Sequence, residues 1–252
     1  MAGRTARDAL EQYAPVTWSI GLLQAPAEQV AEQLCSWREE IGRAVTSAAL
    51  PSGLGAAIDA LAPYTAPWTR EVVLGTNGQW SAIFDNSAIG GDPTSSVSYL
   101  AGRLRVPGLV VLRTPYRPDA KGARHSYQGT AFRLYSPDPV PGARDGNGLR
   151  SVDLIQDDNR WHFGAWGEQQ EYEDVARYAS RRVRDRFDEE LLRTYCSALG
   201  ADYLADDFFR GPSYLIRSHP ARGLRNAGST FAEIRQSAGL PPDWPESPSV
   251  PD

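Results

Sequence analysis

The chain is short of the residues that most often carry chemistry or cross-links. It has two cysteines, three histidines and one methionine in 252 residues. Cys35 and Cys196 are too few and too far apart for a disulfide framework or a structural zinc site. Each sits in a helix-like stretch near an aromatic, Trp37 or Tyr195, so the expectation is a buried thiol in a reducing compartment. His125, His162 and His219 lack the spacing of paired metal ligands. No phosphate loop, no GxGxxG fingerprint and no GxSxG elbow occurs. No cofactor and no metal are therefore expected, and the reading leans away from an enzyme.

Long apolar runs are missing too. No stretch reaches membrane-span length, and the opening MAGRTARDALEQYAP has no signal-peptide core. The expected location is the cytoplasm, without a membrane. A basic excess is also absent: the formal net charge is −5. That speaks against general nucleic-acid binding and fits a protein partner with a basic patch, although many soluble proteins carry such a charge. Lys121 is the only lysine, a bias that reads as bacterial-type genomic base composition.

What is present is ordinary globular material, 41% hydrophobic and 23% charged, on a chain long enough for one large domain. Residues 1–15 read as a weak helix or loose arm, 16–240 as a single domain, and 241–252 as a Pro-rich tail without fixed structure. Val16–Leu23 alternates as a strand, and Pro26 opens a helix striped by Val30, Leu34, Trp37 and Ile41, ending at Gly42. A short helix carries Leu54, Ile58 and Leu61. Asn77-Gly78 predicts a type I′ hairpin turn, with Trp80, Ala82 and Phe84 on one face and Ser81, Ile83 and Asp85 on the other. Asp92-Pro93 starts a helix bearing Val97, Tyr99, Leu100 and Leu104. Strands follow at Gly108–Thr114 and Thr130–Tyr135. Loops at Pro115–Gln128 and Ser136–Gly148 are long enough to be mobile or functional.

The densest stretch is Arg150–Gly200. It predicts a hairpin turning at Asp157-Asp158-Asn159, then two helices. The first would bury Val175, Ala176, Ala179, Val183 and Phe187 at about 100° per residue and turn Arg177, Arg181 and Arg184 to solvent. Arg182 and Arg186 would flank the stripe and need a carboxylate or carbonyl partner, with Glu168, Glu171 and Glu173 nearby. Asp188 would cap the second helix. Residues 201–216 read as irregular, and Thr230–Ala238 as a last helix. The adjacent, hairpin-linked strands predict an α+β fold, a mainly antiparallel sheet with helices packed on one side.

Two functions follow from these residues. The first is a non-enzymatic protein-binding protein of immunity or regulatory type. Its Trp/Arg-rich face would comprise His162, Trp166, Arg182 and Arg186, residue types enriched at binding hot spots. The second is a small-ligand protein or hydrolase-like enzyme. Its site would lie at the Asp85–Asp92 loop or around His162 and Arg186, with Asp85, Asn86 and His162 as the catalytic candidates, and it requires these side chains to converge in one pocket. The oligomeric state is not readable.

Overall fold

A computed structural model describes residues 5–115, 128–143, 145–157, 160–220 and 228–241. The loop tip at 116–127, which includes His125, the turn residues Asp158 and Asn159, and the tail from 242 lie outside the described residues.

The strands build one antiparallel sheet. Its strands are β1 (Ser19–Leu23), β2 (Arg43–Leu50), β3 (Arg70–Gly75), β4 (Ser81–Asp85), β5 (Gly108–Thr114), β6 (Gln128–Tyr135), β7 (Gly148–Asp157), β8 (Arg160–Gly167) and β9 (Ser213–Pro220). They lie in the order β2-β9-β3-β4-β1-β5-β6-β7-β8, and every ladder is antiparallel. The helices are α1 (Ala6–Gln12), α2 (Ala27–Glu40), α3 (Leu54–Asp59), α4 (Thr94–Leu104), α5 (Glu189–Ala198) and α6 (Phe231–Ser237). The α+β class and the antiparallel sheet match the sequence reading.

Helices cover both faces of the sheet, which corrects the one-sided expectation. One core joins Ile20, Leu22, Val72, Leu74, Phe84, Phe132 and Val152 to α1, α3, α5 and α6. The other joins Leu23, Val73, Ile83, Val110 and Ile216 to Val30 and Leu34 of α2 and Val97 and Leu100 of α4. Central strands here are apolar at successive positions because both of their faces are buried. Gly21 is required beneath α4: a Cβ there would lie 2.7 Å from Pro93 and Val97.

Several local expectations change. Residues 6–12, read as a weak helix or part of a loose arm, form helix α1, closed by a Thr5–Asp8 capping box, with Leu10 in the core. The first strand begins at Ser19 because Val16–Trp18 coil into a 3-10 turn. The Asn77-Gly78 hairpin forms, yet neither residue adopts positive φ. The Thr76 amide and hydroxyl both donate to the Trp80 carbonyl, at 3.1 and 2.7 Å, and the Thr76 hydroxyl oxygen accepts from the Gly78 amide at 3.2 Å. This bridging replaces the two-residue turn with a three-residue loop. Ile41, expected in the α2 stripe, is 52% exposed.

The arginine-dense helix does not exist. Residues 172–187 make two 3-10 turns, at Arg177–Ala179 and Val183–Asp185. Of its expected stripe only Phe187 is buried, and Val175 is 42% exposed. Side chains take the main-chain partners that a helix would have used: Arg177 donates to the Asp185 carbonyl and Arg186 to the Ser180 carbonyl. The segment is pinned instead by Arg150, whose guanidinium grips buried Glu173 at 2.6 and 2.8 Å, with Tyr178 donating to the same carboxylate. The second helix, α5, is capped by Asp188 as expected.

Candidate groove beside the fourth helix

A groove of about 780 Å³ opens between the outward side of α4 and the loop joining β6 to β7. Its walls are Thr94, Ser95, Ser98, Tyr99 and Gly102 on one side and Pro137–Pro139 and Asp145–Asn147 on the other, with Trp68 and Asp92 at the end.

Each wall is tied down by a buried polar side chain. Asn147 joins the loop to α4: its amide donates to the Ser98 and Ser136 carbonyls at 2.9 and 3.1 Å, and its oxygen accepts from the Ser98 hydroxyl at 2.8 Å. Asn86, fully buried at the end of β4, holds the segment that carries Trp68. Its oxygen accepts from the Thr69 and Arg70 amides at 2.8 and 2.9 Å, and its amide donates to the Pro63 carbonyl at 2.6 Å. Asp85, the preceding residue, holds the loop that carries Asp92. One carboxyl oxygen accepts from the Ser87 amide at 2.8 Å and the other from the Asp92 amide at 3.2 Å. Two of the three candidates for catalysis, Asp85 and Asn86, are therefore anchors beneath the groove, each satisfied by backbone and neither open to a substrate.

The electrostatics of the groove are acidic. Asp92, Asp138 and Asp145 line it, and Asp153 lies on the adjoining strand. Tyr135 records their approach: burial first, then the fields of Asp145, Asp92 and Asp153, hold its phenol well above the ordinary range, opposed by Arg133. Arg133 bonds Thr94 at 3.3 Å and pairs with Asp153 at 3.3 Å. Arg103 is committed to Glu40 at 2.6 Å. Beneath, Asp85 faces Glu71 across the ladder. Glu71 is neutralised by a bidentate pair with Arg38 of α2 at 2.6 and 2.8 Å and by the Ser96 hydroxyl. Burial pushes the Asp85 carboxyl up to about 7, with Glu71 and Asp92 adding and the two amides opposing.

Beyond α4 the same face of the sheet continues, and among the described residues no helix covers it there. The register runs Ile83–Gly21–Val110–Arg133–Ser151–Trp166 across the sheet, and His162 lies opposite Ile155. Trp166 is 46% exposed and His162 is exposed as well. Trp161 and Phe163 turn to the other face and pack against the main core.

The remaining sequence candidates scatter. Asp85 and His162 share a face but stand five strands apart, roughly 24 Å at the usual strand spacing. Arg186 lies on the opposite face, its guanidinium 5.8 Å from the Phe163 ring centre. Arg182 is exposed and needs no such partner, whereas half-buried Arg186 has a carbonyl partner, that of Ser180 at 3.0 Å. Glu173, one of the acids proposed for them, belongs to Arg150. Both thiols are pushed up by burial, unsuited to nucleophilic attack. Among the described residues no three His, Cys, Asp or Glu side chains group as metal ligands, and no helix is long and apolar enough to cross a membrane.

Sequence reasoning missed Trp68, Tyr99, Asp138, Asp145 and Asn147 as a set. They come from three separate segments, and the one local signal was the length of the 136–148 loop. Comparison with protein-family models, curated proteins and solved structures found no match to this chain.

Proposed function

We propose that the chain is a non-catalytic binding protein of regulatory or immunity type, which takes a basic segment of a protein partner into the groove between α4 and the 136–147 loop. The observation that carries this reading is the lining itself: Trp68, Tyr99 and two prolines supply apolar contact, while Asp92, Asp138 and Asp145 supply charge. Such a lining suits lysine or arginine side chains, whose stems pack on rings while their heads reach carboxylates. The face bearing Ser151, His162 and Trp166 extends the same surface, with half-exposed Trp166 as an aromatic anchor of the hot-spot kind. A net charge of −5 favours steering of a basic partner.

The reading is tested by reversing charge at the rim. An Asp138→Lys/Asp145→Lys double variant is expected to bind a hexa-arginine peptide at least about tenfold more weakly, matching loss of two charge-assisted contacts. Wild-type affinity should fall steeply between low and high salt. Equal affinity of the two proteins, measured by calorimetry, removes the groove from the binding surface. Crosslinking from Ser95→Cys to a co-purified protein would identify the natural occupant.

A further inference from the structure

We propose that Asp85 is the positioning residue of this groove, and that the hold on a basic ligand tightens as its carboxyl ionises. The proposal rests on the groove being a site for basic ligands, and it adds the regulation of that site.

The geometry is a clamp. Asp85 closes both ends of the Ser87–Asp92 loop, accepting the Ser87 amide on one oxygen and the Asp92 amide on the other, at 2.8 and 3.2 Å. Gly91 lies against the carboxyl: a Cβ there would stand 3.5 Å from it. The residue held at the far end, Asp92, is a groove acid and the last residue before Pro93 and α4. Only the ionised carboxyl offers acceptor pairs from both oxygens without a hydrogen in the way. Protonation turns one oxygen into a donor facing an N–H donor, and the longer bond, to Asp92, is the one that yields.

The charged groups around Asp85 set the direction. From β3 comes Glu71, from the loop Asp92, and behind Glu71 the Arg38 guanidinium of α2; α4 contributes the neutral Ser96 hydroxyl. Arg38 is spent on Glu71, so burial dominates and the carboxyl is pushed up to about 7. The switch therefore lies within a modest pH change. Asn86, next in sequence, holds the Trp68 wall through an amide that does not titrate, so one wall responds to pH and the other stays fixed.

Two measurements test this. In the protein alone, the carboxyl carbon of Asp85 and the amide signals of Ser87 and Asp92 are followed by NMR from pH 5.5 to 8.5. One shared midpoint near 7 is expected; an Asp92 amide that ignores the Asp85 titration overturns the clamp, whatever the groove binds. Hexa-arginine affinity is then measured at pH 6 and pH 8 in constant salt, for wild type and Asp85→Asn. Wild type should bind about fivefold to tenfold more tightly at pH 8, the scale of one charge-assisted hydrogen bond. Asp85→Asn should bind weakly at both pH values. Wild-type affinity that does not change with pH, or a variant that keeps the full pH dependence, overturns the regulation. Absence of hexa-arginine binding at both pH values, beside a shared NMR midpoint, instead overturns the basic-ligand reading of the groove and leaves the clamp supported.

Discussion

Asp85, Glu71 and Glu173 are all buried carboxyls, and their partners set them apart. Glu71 and Glu173 each receive a bidentate arginine, which compensates for the loss of water. Asp85 receives only two backbone amides, and its folded-state pKa rises from the usual carboxylate range to about 7. The sign of the consequence follows from linkage. A carboxyl raised in the fold stabilises the folded protein below its unfolded pKa, about 4, and that contribution is lost as pH climbs through 7. Asp85→Asn removes this dependence. In denaturant titrations its stability relative to wild type should increase from pH 4 to pH 7 and level off above. The total change should be on the order of a few kcal/mol. A relative stability that stays flat over this range would show that Asp85 is ionised throughout.

At the scale of elements, the 172–187 segment is the instructive failure. Its sequence has a helical apolar period, and period was the strongest local signal available. Yet Arg150, Glu173, Tyr178 and Tyr195 form a hydrogen-bonded network across strand, turn and helix, and that network sets the path of the chain. The two readings differ in what truncation does. Phe187→Ala should cost about 3–5 kcal/mol, as a fully buried phenylalanine does. Val175→Ala should change stability by no more than about 0.5 kcal/mol, as an exposed site does. Similar losses at both positions, read from chemical denaturation, would restore the buried helical stripe. The hairpins β3–β4 and β7–β8, by contrast, were legible because their partners are close in sequence and separated by turn residues, Asn77-Gly78 and Asp157-Asp158-Asn159. The face division was legible too: Trp80, Ala82 and Phe84 enter one core and Ile83 the other.

Across the whole molecule, the sheet depends on a strand that local reading did not find. β9 inserts between β2 and β3, pairing with both, and brings Leu215 and Ile216 to opposite faces. A chain ending at Gly211 would leave the β3 edge open and β2 without its neighbour. It should lose cooperative unfolding and become sensitive to limited proteolysis, whereas cleavage confined to residues after 240 should leave the melting transition in place. A truncated chain that still melts in one sharp transition would mean that β3 closes the sheet by itself.

The sequence by itself determined the class of fold, most strand and helix positions, the cap at Asp188, and the two-sided pattern of β4. These rest on periods and end signals within a few residues of each other. Only the tertiary structure decided that helices cover both sheet faces, that β2 and β9 pair, and that the expected arginine helix is two tight turns. Each depends on partners far apart in the chain, and a spacing rule holds no record of them. The groove belongs to the same category. Trp68, Tyr99, Asp92, Asp138 and Asp145 have no common motif. The sequence singles out Asp85 and Asn86 as candidates for catalysis, and their burial, which sequence does not display, makes them anchors of the groove walls.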